Sequence, residues 1–148
     1  MYYGGTYSIT GINLLDIKKI YEAKERIKGV VVDTPFSFAP YLSELSGSEV
    51  FLKKENLQIT GAFKIRGAYN KIATLNEKQR AGGVVAASAG NHAQGVALSA
   101  SKFGIKAVIV MPESTPLTKV NGVKYFGADV ILHGLNYDEA YAYAIEYG

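Results

Sequence analysis

The sequence predicts an α/β fold: a small, open parallel sheet flanked by helices, in three layers (α/β/α). Two observations carry that expectation. From Glu49 onward, short runs that are apolar throughout alternate with helix-period stretches, giving four β-α units in about 100 residues with right-handed crossovers. Gly104 and Gly127 then close two of the helical stretches at similar spacing, which reads as the β-α rhythm and not as a solenoid repeat.

Each element has its own reason. Residues 1–11 are rich in Tyr, Gly and Thr and read as a loose tail. Over residues 13–28, Ile17, Ile20, Tyr21 and Ile27 share one helical face while charges fill the other; Asn13 with Asp16 suggests a capped start and Gly29 a stop. Residues 30–32 read as a short extended piece ending at Thr34-Pro35, and a second helix follows Ser37 and ends at Gly47. Residues 50–53 read as a strand, 63–75 as a helix, 84–87 as a strand and 91–103 as a helix. Residues 107–111 and 130–132 are further strands, separated by a helix over 116–126. Asn136 with Glu139 forms a capping box for a helix that runs to the end of the chain.

Composition bounds the function. The chain has 148 residues, 48% hydrophobic and 20% charged, enough for one domain with a real core. A net charge of +3, with lysines scattered along the chain, does not argue for nucleic acid. There are no cysteines, and two distant histidines with scattered carboxylates lack metal-ligand spacing. The purest apolar run is too short to cross a membrane and no basic, apolar leader opens the chain. A soluble cytoplasmic protein is expected.

Ligands of open parallel sheets bind at the carboxyl ends of the strands, beside helix starts. Two loops there carry unusual residues. The first, Thr60-Gly61-Ala62-Phe63-Lys64-Ile65-Arg66-Gly67-Ala68, places Lys64 in the first turn of a helix. The helix dipole and unpaired amides disfavour an ammonium there, which makes a free amine, and a Schiff base with an aldehyde, more accessible. Position alone leaves this open against a solvated surface lysine, one of 13 in the chain. The second loop, Ser88-Ala89-Gly90-Asn91-His92-Ala93-Gln94-Gly95, runs from a strand directly into a helix. The amides of residues 90–93, beside the Ser88 and Asn91 side chains, suit a carboxylate or a single phosphate. An ordinary helix cap accounts for the same residues equally well. Neither a dinucleotide fingerprint nor a P-loop is present. His92 alone reads as a hydrogen-bonded structural residue as readily as a catalyst, and the tyrosines of the last helix read as packing.

Taken together, the two loops resemble the lysine motif and the substrate-carboxylate loop of the fold-type II pyridoxal-phosphate enzymes, from Lys53 to Ala68 and from Ser88 to Gly95. The nearest branch is the threonine ammonia-lyases (threonine dehydratases), which also accept serine. The resemblance covers the chain from about Leu15 onward. It implies pyridoxal 5′-phosphate as cofactor, bound covalently by Lys64, which would then move protons at Cα. It implies that Phe63 packs on the cofactor ring and that Asn91 hydrogen-bonds the ring oxygen. Ser88, Ala89, Gly90, Asn91 and His92 would form the carboxylate loop. Threonine would yield 2-oxobutanoate and ammonia, at the start of isoleucine synthesis or of threonine breakdown. Serine racemases of this family carry a second serine where this chain has Ala89, so the resemblance favours elimination over racemisation. Ala62 stands where serine is commoner.

Chains of that family are at least twice as long, with a glycine-rich loop for the cofactor phosphate that these residues do not contain. The resemblance therefore implies the N-terminal portion of such an enzyme. Residues 12–55 correspond to part of the large domain and residues 56–148 to the small domain. The rest of the large domain is absent, and little or no activity is expected of this piece alone. Two alternatives stay open: a truncated, non-catalytic domain that self-associates through its uncovered apolar faces as a homo-oligomer, or another fold-type II lyase or racemase acting on serine.

Overall fold

The computed structural model describes residues 16–148, so the tail over 1–11 and any cap from Asn13 lie outside the described residues. The element order is α1 (Ile17–Ile27), β1 (Phe36–Phe38), α2 (Pro40–Ser46), β2 (Phe51–Lys53), a 3-10 turn (Glu55–Leu57), α3 (Lys64–Ala73), α4 (Glu77–Ala81), β3 (Val84–Ala87), α5 (Asn91–Lys102), β4 (Ala107–Met111), α6 (Leu117–Tyr125), β5 (Asp129–Leu132) and α7 (Tyr137–Tyr147).

The parallel sheet has the order β3-β4-β5. Val84 pairs with Ala107 and Val108 with Asp129, so each strand follows its neighbour through one crossover helix. β4 is central and buried along its whole length, as a continuous apolar run requires when both faces are covered. On one face Ile109 and Met111 pack with Ala93, Val96, Ala97 and Ala100 of α5 and with Val120 and Val123 of α6. Ala68 and Ile72 of α3 join the same cluster. On the other face Val110 meets Ala140 and Ala144 of α7. The three-layer α/β/α arrangement is thus present, with α7 alone covering the second face.

Two expectations need correction. The sheet has three parallel strands and not four, because β2 pairs with β1 in a separate antiparallel ribbon, Phe36 opposite Lys53 and Phe38 opposite Phe51. Phe-Ser-Phe is the period-2 pattern of such a ribbon, read in the sequence as the run-up to a helix. Residues 30–32 form no strand. The Val32 backbone instead exchanges two hydrogen bonds with the Gln58 side-chain amide, its N–H donating to Oε1 at 3.0 Å and its carbonyl accepting from Nε2 at 2.8 Å.

The helix ends follow their chemistry. Asp16 itself caps α1, accepting from the Lys18 N–H at 2.9 Å. Asn136 caps α7 by accepting from the Glu139 N–H, but the returning Glu139 carboxylate takes the Leu135 N–H and the Asn136 side-chain amide, not the Asn136 backbone. Helix α4 has a full capping box between Asn76 and Gln79. Among the described residues, no helix is long and apolar enough to cross a membrane.

Candidate active site

The carboxyl ends of β3, β4 and β5 lie at one edge of the sheet, because the strands are parallel. The second motif loop leaves β3 at this edge and enters α5. Its backbone extends the ladder, Ser88 N–H donating to the Val110 carbonyl at 3.1 Å. The Ser88 hydroxyl accepts from the Gly90 N–H at 3.3 Å, and Ala93 N–H donates to the Gly90 carbonyl at 3.0 Å. Two of the amides expected in an anion cradle are therefore engaged internally. Those of Asn91 and His92 have no partner among the described residues. Helix α5 also has no side-chain cap and no acidic residue in its first turn, so its positive end faces outward uncompensated.

Lys64 is the first residue of α3, after Phe63 at the cap. This start too lacks a side-chain cap and an acid. By contrast α1, α4 and α7 are capped by Asp16, Asn76 and Asn136. The approach to Lys64 bends at Gly61, whose φ of 67° lies in the left-handed region. Buried Gln58 and Thr60 hold the loop, Gln58 by its exchange with Val32 and Thr60 by donating to the Ala62 carbonyl at 3.3 Å.

Helix α3 lies directly on α5. A Cβ at Gly95 would stand 3.2 Å from the Lys64 carbonyl carbon and 3.2 Å from the Ile65 nitrogen. A side chain there would press on the α3 backbone, so glycine suits the close approach that brings the two loops together. Phe63, Lys64, Arg66, Gly67, Ala68 and His92 line one cleft of about 270 Å³. The Lys64 ammonium lies 5.2 Å from the centre of the Phe63 ring. The pKa of His92 is lowered from its ordinary value, first by partial desolvation of the ring and second by the Lys64 charge, so the imidazole is neutral at neutral pH.

The structure thus joins Lys64, Phe63 and His92 in one cleft. Ser88, Ala89 and Gly90 are half-buried in the loop behind it, and exposed Asn91 makes no side-chain hydrogen bond among the described residues. Arg66, Gly67 and Ala68 line the cleft as well; for Gly67 and Ala68, three and four residues after Lys64 on the same helix face, that spacing was the signal available in the sequence. Gly95 could be found only from the helix packing. His133, without a partner in the sequence reading, stacks on Tyr143 at 4.1 Å and takes no part in the cleft. A larger open groove of about 670 Å³ beside Leu98, Lys102 and Tyr125 lies at the opposite ends of α5 and α6 from the motif loops.

The residues present fit a pyridoxal phosphate. The cleft offers an amine for its aldehyde, the Phe63 ring and the small Gly67 and Ala68 for a flat heteroaromatic ring, and two uncapped helix starts for anionic groups.

Comparison with known proteins agrees. The chain is 55% identical over 132 residues to an L-threonine ammonia-lyase of Thermotoga maritima, covering 89% of this chain and 33% of that protein. The chain therefore spans about a third of the length of that curated relative. Among solved structures it resembles the processed form of threonine deaminase isoform 2 from Solanum lycopersicum (TM-score 0.79, 38% identity, 89% of this chain and 38% of that one). It also resembles maize serine racemase (TM-score 0.84, 40% identity, 88% and 40%). A family model described as pyridoxal-phosphate dependent enzyme matches residues 27–148, and on that match this chain belongs to the pyridoxal-phosphate-dependent enzyme family.

Proposed function

We propose that this chain forms the lysine-bearing part of a threonine ammonia-lyase that also accepts serine. The observation that carries the reading is the meeting of Lys64 with His92 and the start of α5 in one cleft. In that reading the free amides of Asn91 and His92, with Ser88, Ala89 and Gly90 shaping their loop, receive the substrate carboxylate. Phe63 would pack on the cofactor ring and Asn91 would hydrogen-bond its ring oxygen. The cofactor, when bound, supplies the electron sink that makes the Cα proton acidic. The Lys64 amine would take that proton and the β-hydroxyl would leave with a proton, as water. Water then replaces the nitrogen, so threonine becomes 2-oxobutanoate plus ammonia, feeding isoleucine synthesis or threonine breakdown.

Elimination is favoured over racemisation because racemisation needs an acid on the opposite face of Cα. The Ala89 side chain has no acidic proton, so it would not supply one where serine racemases of the family carry serine. The domain assignment is part of the same proposal: residues 12–55 belong with a large domain and 56–148 form the small one. Phe63, Lys64 and His92 are exposed in the chain as it stands. A cleft this open does not exclude water, and turnover by this chain alone falls well below the ~1–1000 per second usual for enzymes.

The test is to mix the purified chain with pyridoxal phosphate, trap the adduct with borohydride and map the labelled lysines. Label concentrated on Lys64, and lost in Lys64→Ala, is expected. Label spread evenly over the lysines would overturn the site.

A further inference from the structure

Beneath the cleft lies a polar cluster that none of the roles above uses. The Arg66 guanidinium, two residues after Lys64 on the first turn of α3, donates from Nε to Glu55 Oε2 at 2.8 Å and from Nη2 to Glu55 Oε1 at 2.8 Å. Glu55 lies outside the cleft, on the 3-10 turn, with its side chain 17% exposed. Its carboxylate also accepts from the Thr34 hydroxyl at 2.5 Å and from Gln58 Nε2 at 3.4 Å. Thr34 and Gln58 are buried, at 3% and 5% exposure. Four donors thus converge on one carboxylate that does not itself line the cleft and meets it only through Arg66.

We propose that Glu55 is a positioning residue, which fixes the first turn of α3 through its two-pronged hold on Arg66 and so sets the direction of Lys64. Three features support this. A bidentate carboxylate–guanidinium pair is directional as well as strong, so it orients a helix where a single contact would only tether it. The loop between Glu55 and Arg66 is held at one end by the Gln58–Val32 exchange and at the other by this pair, leaving Lys64 the one long side chain of the first turn free to enter the cleft. Glu55 is also strongly biased to its charged form, chiefly by Arg66, so the hold persists through neutral pH. The inference rests on Lys64 being the cofactor-binding amine proposed above.

The experiment compares the chain with Glu55→Gln, which preserves volume but removes the charge and one acceptor. Two readouts are taken: borohydride-trapped pyridoxal phosphate mapped across all lysines, and amide hydrogen exchange over residues 61–66. With folding verified by circular dichroism, Glu55→Gln is expected to lose about tenfold of the label at Lys64, the size of loss a modest misplacement causes, while the other lysines label as before. Exchange over 61–66 is expected to accelerate without a matching change elsewhere. Unchanged Lys64 label and unchanged exchange in folded Glu55→Gln would overturn the proposal. Should that variant fail to fold, Thr34→Val removes one of the four donors, and a smaller loss in the same direction is expected; none would overturn it. If the unaltered chain does not concentrate label on Lys64, the site reading itself fails. Amide exchange still decides the positioning role, faster exchange confined to 61–66 upholding it and unchanged exchange rejecting it.

Discussion

Glu55 shows how one residue ties local electrostatics to stability. Its carboxyl is pushed from 4.5 down to about 2, chiefly by the Arg66 hydrogen bonds and with help from Thr34. In the unfolded chain it titrates near its ordinary value. As pH falls from 4.5 towards 2, the unfolded state therefore binds the proton first, and the stabilisation present above 4.5 is lost across that window. Denaturant unfolding measured from pH 5 to pH 2 is expected to show this decline, and Glu55→Gln to flatten it. Equal pH dependence in both chains would show that the carboxyl is not held as the geometry indicates. Lys64 makes a different point at the same scale. Its position alone was compatible with an ordinary surface lysine; the resemblance of its motif singled it out, and the fold places His92 and Phe63 beside it.

Between elements, the contact of α3 with α5 governs the site. Gly95 is the point of closest approach, with Ser99 one turn on donating its buried hydroxyl to the Gly95 carbonyl at 2.6 Å. Gly95→Ala adds one methyl group to a space bounded by the Lys64 and Ile65 backbones, which cannot move independently of α3. Overpacking of this kind costs about 1–3 kcal/mol, readable as a lower denaturant midpoint at unchanged slope. Because the helix carrying Lys64 is what must give way, trapped label at Lys64 is expected to fall as well. A fully stable variant with full labelling would mean that the two helices can separate freely. Within elements, the four strands from β2 to β5, the longer helices and the Asn136 cap were legible because they depend on neighbours in sequence. Helix α4 and strand β1, at five and three residues, are too short to show a period and escaped notice.

Across the molecule, apolar surface is unevenly distributed. The central strand β4 is covered, whereas on the β1–β2 ribbon and α2 Phe36, Phe38, Tyr41, Leu45 and Phe51 are all exposed, Phe36 by 68% and Tyr41 by 75%. The rings of Phe36 and Phe38 each lie 5.4 Å from that of Phe51, so the ribbon carries an organised aromatic cluster. Light scattering of the purified chain is expected to show mass rising with concentration, and Phe36→Ser with Tyr41→Ser to reduce it. A monomer that persists at high concentration would count against an adhesive face.

The sequence by itself determined the elements whose physics is local. Continuous apolar runs become covered strands, glycine ends a helix, Asn136 starts one, and two loops carry the residue types of a covalent cofactor site. Tertiary structure alone decided which strands share a sheet. The choice between the parallel sheet and the β1–β2 ribbon depends on pairing partners, and strand composition does not encode a partner. It also decided which residues meet. Lys64 and His92 are far apart along the chain and share a cleft because Gly95 lets two helices touch, and Glu55 reaches Arg66 because the intervening loop folds back at Gly61. Such contacts arise from the closure of the backbone over many residues, and no short window of sequence contains the information that specifies them.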